Sequence, residues 1–209
     1  MGLKERRQRE RKQRRDQIID AARSLLFEKG LHATSINQIA KRAELGVGTI
    51  YFYYKSKEEI FSALQEEGLE LLFSRIFKIS NMNLAADEKL REIGLEYMRF
   101  SKENRDYYDI INYFLASPGI IFVPNLKRKV DRHGSRIIGL IVETINAGTR
   151  AGLFQSINPR RDAITFWGTL HGLIQFRKLK DTVLAGDSHK NILNHAVDHF
   201  INGLRTRIS

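Results

Sequence analysis

Three groups of residues in this 209-residue chain have types and spacings that could do chemistry. His195 and His199 stand four apart, so two imidazoles would share one helix face, as in a metal-binding pair. No acidic residue follows His195, where a metalloprotease helix carries its general base. Two histidines on a packing helix are the simpler reading, and no metal is expected. Gly46-x-Gly48 opens like a dinucleotide fingerprint, yet Tyr51 stands where the third glycine belongs and no strand pattern precedes it. The third group is the stretch Gly46, Val47, Thr49, Tyr51, Phe52 and Tyr53, arranged around a single inward Ile50. It offers hydroxyls and apolar groups with no acidic residue. Tyrosine and threonine hydroxyls donate to phosphate oxygens, and apolar groups meet thymine methyls.

Such a group needs a short, well-held helix beneath it. Apolar residues recur at helical spacing almost throughout, strand-like alternation is scarce, and no proline occurs before Pro118. The chain reads as all-α. A first helix is expected over 16–29, with Ile18, Ile19, Ala22, Leu25 and Leu26 buried and Gly30 stopping it. Ser35-x-x-Gln38 and Ser56-x-x-Glu59 are capping boxes that open a second and a fourth helix, the fourth running towards Ile79. Between them lies the very short helix over 47–53. Ile36, Ile39, Ala40 and Ala43 form the buried stripe of the second helix, and Ile50 anchors the third against it. That is a helix-turn-helix pattern.

Charge agrees with this placement. The formal net charge is +11, and residues 1–57 hold 14 Lys/Arg against 6 Asp/Glu. Most of the excess therefore sits in the first quarter, and a polyanionic partner follows. Residues 1–14 form a basic arm with almost no apolar residue, either an unpacked tail or a frayed extension of the first helix. The absence of cysteine excludes disulfides, thiolate zinc sites and thiol nucleophiles. With no phosphate loop and no Gly-x-Ser-x-Gly elbow, no enzyme activity and no cofactor are expected. No apolar run is long enough to cross a membrane and no signal peptide is evident, so a cytoplasmic protein without a membrane partner is the expectation.

Thr34-Ser35-Ile36, Ile39-Ala40, Gly48-Thr49-Ile50-Tyr51 and Tyr54-Lys55-Ser56-Lys57-Glu58 together resemble the DNA-binding module of the tetracycline-repressor (TetR) family, without a gap from about Arg15 to Leu64. The resemblance implies a DNA-binding domain over 15–60, its motif at about 38–57, and a larger helical domain over 61–209 for effector binding and dimerisation. It also implies a homodimer that represses from a palindromic double-stranded DNA operator until a largely apolar small molecule releases it. By the same resemblance Thr34 or Ser35 touches a phosphate, Asn37 a base or phosphate, and Val47 and Tyr53 face base edges, with Gly46 also in the DNA site. Thr49 and Tyr51 hold phosphates, as does Lys57 from a helix N-terminus. Tyr54 belongs to the core. The arm is expected in a minor groove. Glu44 departs from the family pattern, standing where many relatives carry a turn glycine, so a strained left-handed backbone is expected there.

Beyond residue 80 the pattern predicts helices over 87–101, 105–116, 125–151, 159–178 and 188–206. Gly134, Gly139 and Gly148 weaken the case for an unbroken third member. Tyr107, Phe114, Trp167 and His171 are the candidates for an effector pocket, although aromatic residues at such spacing also fill cores. Gly168, Gly172 and Phe176 on one helix and Ile192, Ala196 and His199 on the next are the candidates for a dimer interface. A competing reading is a basic helical adaptor that binds RNA or anionic membrane through the arm.

Overall fold

The computed structural model describes residues 2–116, 124–176 and 186–205, and these form nine helices with no strand beyond one isolated bridge, Phe154 to Arg205. In chain order they are α1 (Leu3–Lys29), α2 (Ile36–Arg42), α3 (Val47–Tyr53), α4 (Lys57–Ser80), α5 (Ala86–Glu103), α6 (Arg105–Ala116), α7 (Pro124–Arg150), α8 (Pro159–Gln175) and α9 (His189–Leu204). The all-α expectation is met. The predicted ends at 178 and 206 lie outside the described residues. Residues 4–15 are helical too, continuous with the packed part of α1.

Local chemistry explains the boundaries. Gly30, with φ 77°, ends α1, its N–H bonded to the Leu26 carbonyl. Ser35 and Gln38 close the predicted box on α2: the Gln38 side chain accepts from the Ser35 N–H at 2.9 Å. At α4 the Glu59 N–H donates to Ser56 Oγ, while the Glu59 carboxylate reaches the Lys55 N–H instead of that of Ser56. Asn158 caps α8 ahead of Pro159, and Ser188 caps α9 through the Asn191 N–H.

The chain divides into two compact units, 1–69 with 105–130 and 70–104 with 131–209. The division falls within α4, between Leu69 and Glu70, and α6 joins the first unit. The reason is packing. Ile110 and Phe114 of α6 are buried in one cluster with Ile18, Leu26, Ile39, Ile50 and Phe61. Gly68 lets α6 come close, since a Cβ there would lie 2.9 Å from Tyr107 Cβ. Glu67 ties three helices: Arg23 grips it with two bonds of 2.9 and 2.8 Å, and the Tyr107 hydroxyl donates to it at 3.1 Å.

In the second unit α5, α8 and α9 pack together around Leu90, Ile93, Tyr97, Leu170, Leu193 and Val197. Gly94 sits where a Cβ would meet Val197 and Leu170 side chains at 3.1 and 3.4 Å. α7 is one helix through all three glycines. Its last glycine, Gly148, is a contact point: a Cβ would fall 2.2 Å from the Phe154 ring. The two α7 glycines should therefore respond with opposite signs. Gly148→Ala overpacks and should lower unfolding free energy by about 1–3 kcal/mol. Gly139→Ala, with nothing within 4 Å, should raise it by up to about 1 kcal/mol. Urea midpoints of the two variants check this, and equal signs would refute the packing described.

Candidate nucleic-acid interface

α3 has seven residues, and Ile50 alone is fully buried. The helix is held at both ends by neighbours. Before it, the Leu45 N–H bonds to the Ala40 carbonyl at 2.9 Å, and Glu44 takes φ 53° to turn the chain. The left-handed backbone expected at Glu44 is there, at a cost of about 1–2 kcal/mol for a residue with a Cβ. After it, Tyr54 is buried as the core residue expected, and burial raises its phenol above the ordinary value.

Two side chains of α1 fasten this hairpin. Gln17 donates to the Ala43 carbonyl at 2.8 Å, just before the turn. Arg15 donates to the Tyr53 carbonyl at 3.1 Å and lays its guanidinium 4.3 Å from the Tyr54 ring centre. Neither was singled out in the sequence. The available signal was a pair of long donors, Arg15 and Gln17, within the turn that precedes Ile18, the first buried residue of α1.

The remaining side chains of α3 turn outward. Val47 is 38% exposed, Tyr51 52% and Phe52 74%. Gly46 and Gly48 are exposed, Thr49 is half-buried, and Tyr53 packs partly on the core with its ring edge against Phe52 at 5.1 Å. Phe52 is the most exposed aromatic residue of this surface, in keeping with its place in the outward group around Ile50. At the start of α2, Ser35 and Asn37 are exposed. Thr34 is not: it is 1% exposed and its hydroxyl donates to the Gly30 carbonyl at 2.9 Å. Its hydroxyl is occupied by that bond and closed to solvent, whereas that of Ser35 is not buried. Lys57, in the first turn of α4, lies half-buried with Nζ 4.8 Å from the Phe61 ring centre, and burial lowers its ammonium below the ordinary value.

The four effector candidates are divided between the two units, two in each. Phe114 is buried in the first unit's core, and Tyr107 lies against Phe27, edge to face at 5.2 Å. Trp167 and His171 belong to the second unit, where Trp167 stacks on Tyr97 at 4.3 Å and His171 Nδ1 lies 2.8 Å from the Tyr97 hydroxyl. All four are packing residues in this conformation. A groove of about 520 Å³ lies elsewhere in the second unit, lined by Phe77, Leu84, Leu140, Ala147, Leu153 and others, with Lys89 bonded to the Ser80 carbonyl. The dimer candidates sit on the sides of α8 and α9 turned from the unit's own core. Gly168 and Gly172 would place a Cβ against nothing, Phe176 and His199 are exposed, and Ile192 and Ala196 are half-buried. His195 and His199 meet edge to face at 4.5 Å. Among the described residues no three acidic or histidine side chains gather to hold a metal, and no helix is long and apolar enough to cross a membrane.

His171 supports a pH prediction. Burial holds its imidazole below the ordinary value of 6.5, so the neutral ring shares a hydrogen bond of 2.8 Å with the Tyr97 hydroxyl through Nδ1. The unfolded chain takes up the proton first, so stability is full above pH 6.5 and is lost as pH falls below it. The urea midpoint should drop between pH 7 and about 5.5 in the natural chain, and less in His171→Gln. Superimposable pH profiles would refute the assignment.

Comparison with known proteins covers both units. Residues 18–64 match the family model of bacterial regulatory proteins of the tetR family, and residues 90–200 match that of the tetracyclin repressor-like C-terminal domain. The chain is 39% identical over 74 residues to the fatty acid metabolism regulator protein of Bacillus subtilis, covering 35% of this chain and 38% of that one. It is 26% identical over 142 residues to the HTH-type transcriptional repressor KstR2 of Mycobacterium tuberculosis, covering 68% of this chain and 70% of the relative. In fold it is similar to the transcriptional regulator FadR of Bacillus subtilis solved with stearoyl-CoA, at TM-score 0.70 and 21% identity over 90% of this chain and 98% of that one. With a helix-turn-helix at one end and a matching helical domain behind it, the chain belongs to the tetR family of bacterial transcription regulators.

Proposed function

We propose that the protein is a cytoplasmic homodimer that represses transcription from a palindromic operator and leaves it when a small molecule binds the second unit. The outward face of α3 carries this reading: one residue is spent on the core, and Gly46, Val47, Thr49, Tyr51 and Tyr53 remain for the duplex. Thr49 and Tyr51 donate to phosphates, with Ser35 and Lys57 beside them, and Val47 meets base edges in the major groove. Asn37 reaches the duplex from α2. Two copies, paired through the unfilled sides of α8 and α9, would set two α3 helices about 34–36 Å apart.

Selection of bound sequences from a random duplex pool tests this directly, with an inverted repeat as the expected result. On the selected operator, Thr49→Val with Tyr51→Phe should weaken binding at least about 100-fold, because four hydroxyl-to-phosphate bonds per dimer are lost. Recovery of no common sequence would sink the proposal.

The ligand class we favour is a molecule with a long acyl chain. Support comes from the apolar groove of about 520 Å³ and from the stearoyl-CoA held by the similar Bacillus subtilis FadR. The size lies within the range of about 300–1,000 Å³ usual for small-molecule sites. Phe77 and Ser80, near the C-terminus of α4, line that groove, and Lys57 stands at the N-terminus of the same helix. A ligand that prefers one position of α4 would shift the reading heads, with a coupling of about 1–3 kcal/mol. Stearoyl-CoA should release the natural protein from its operator. Ala147→Trp, which fills the groove from an exposed position, should need at least tenfold more ligand while operator affinity stays within twofold. An unaltered ligand response in that variant would place the effector elsewhere.

A further inference from the structure

We propose that the N-terminal half of α1 is a rigid phosphate clamp, in which Lys4, Arg7 and Arg11 hold the DNA backbone flanking each half-site. The proposal rests on α3 being the element that reads the duplex.

The clamp follows from helical register. α1 is continuous from Leu3 to Lys29, and its buried positions include Ile18, Ala22 and Leu25. Carried back at the same three- and four-residue spacing, that face passes through Arg14 and Arg15 to Arg11, Arg7 and Lys4. The face that is apolar where α1 packs on α2 and α3 becomes wholly cationic where the module ends. The acidic residues Glu5, Glu10, Asp16 and Asp20 all lie off it, and Arg6, Arg9 and Lys12 occupy other faces. Cations occur on every face of this segment, but only this face is free of acidic residues along its length, so its charge is not offset from within the helix.

The stripe is also aimed. Arg15, its last member, is fixed to the C-terminal end of α3 through the Tyr53 carbonyl and the Tyr54 ring, and Gln17 is fixed to Ala43 before α3. The extension therefore leaves the module beside the reading helix. From Arg15 back to Lys4 is eleven residues, a reach of about 16 Å, or roughly five base pairs of duplex. Lys4, Arg7 and Arg11 are exposed and meet none of the core.

Helical form decides how the partner is held. An α-helix with its side chains is about 10–12 Å across, whereas the B-form minor groove is about 6 Å wide. The arm expected in a minor groove is thus too thick to enter it, and its long side chains reach phosphates from outside. A membrane partner fits poorly, since residues 4–15 contain no apolar side chain to insert. The helix also needs no nucleus of its own. It propagates from packed turns, and Arg, Lys, Gln and Glu are good helix formers.

The test compares two triple variants of equal charge on the selected operator, with the full-length dimer, from 50 to 200 mM salt. Lys4→Gln/Arg7→Gln/Arg11→Gln removes the stripe, and Arg6→Gln/Arg9→Gln/Lys12→Gln removes three cations from other faces. The stripe variant should flatten the slope of log affinity against log salt by about 0.9 per lost contact, about 5 for the dimer. Backbone protection flanking each half-site should contract, and the ranking of mutated operators should not change. The control variant should shift the slope by less than about 1. Equal shifts in both variants, or no shift in the first, would overturn the clamp. Failure of the natural protein to prefer any duplex sequence would overturn the reading of α3, and the clamp with it.

Discussion

A helix of two turns cannot hold itself together in water, because nucleation costs more than so few backbone bonds return. α3 exists because Ile50 is driven into the core between α1, α2 and α4, and because Tyr54 is buried directly after it. Full burial of a side chain of that size stabilises by about 1.5–3 kcal/mol. Most of the favourable energy of α3 thus comes from one inward position, with Tyr53 packed partly beside it, and Val47, Tyr51 and Phe52 are released from packing duty. That economy makes the surface available: Val47, Tyr51 and Phe52 stay exposed without loss to the core.

Such a small anchor fixes position but leaves orientation loose, and the supporting contacts supply the rest. Gln17 holds the carbonyl before the turn, Arg15 holds the carbonyl after the helix, and Leu45 closes the turn onto Ala40. Against these the turn stores strain at Glu44. Three hydrogen bonds at about 0.5–1.5 kcal/mol each outweigh a backbone penalty of about 1–2 kcal/mol, so the strained turn persists. The result is a reading helix set before the duplex arrives, which spares the cost of ordering it on binding.

How much of this was legible follows from the range of the forces involved. The capping boxes at Ser35 and Ser56, the stop at Gly30, the inward Ile50 and the strained Glu44 are decided within a few residues, and the sequence displays them. The role of an aromatic residue in the second half is decided by which helices cross there. Phe114 looks the same in sequence whether it lines a cavity or seals a core, and only the packing of α6 on the first unit settles it. Gly139 and Gly148 are likewise indistinguishable until Phe154 is seen against one of them. The arm read as either a tail or a frayed extension of α1, because nothing in it can pack. Yet helix can be inherited from a packed neighbour, and α1 passes it back through eleven charged or polar residues before Arg15.

α3 itself carries no charge, although it sits in the most basic quarter of the chain. Attraction for a polyanion must therefore arise around it, from Lys41, Lys55, Lys57 and the cations of α1. Among the acidic residues of the module, Glu28 is held by Arg42, and Asp20 and Glu67 by Arg23, so neighbouring guanidinium groups offset their charge. Long-range attraction and short-range reading are then borne by different side chains. On the proposed reading, a substitution at Val47 changes which sequence is preferred with little effect on the field, and a substitution among the flanking cations changes the field with little effect on preference.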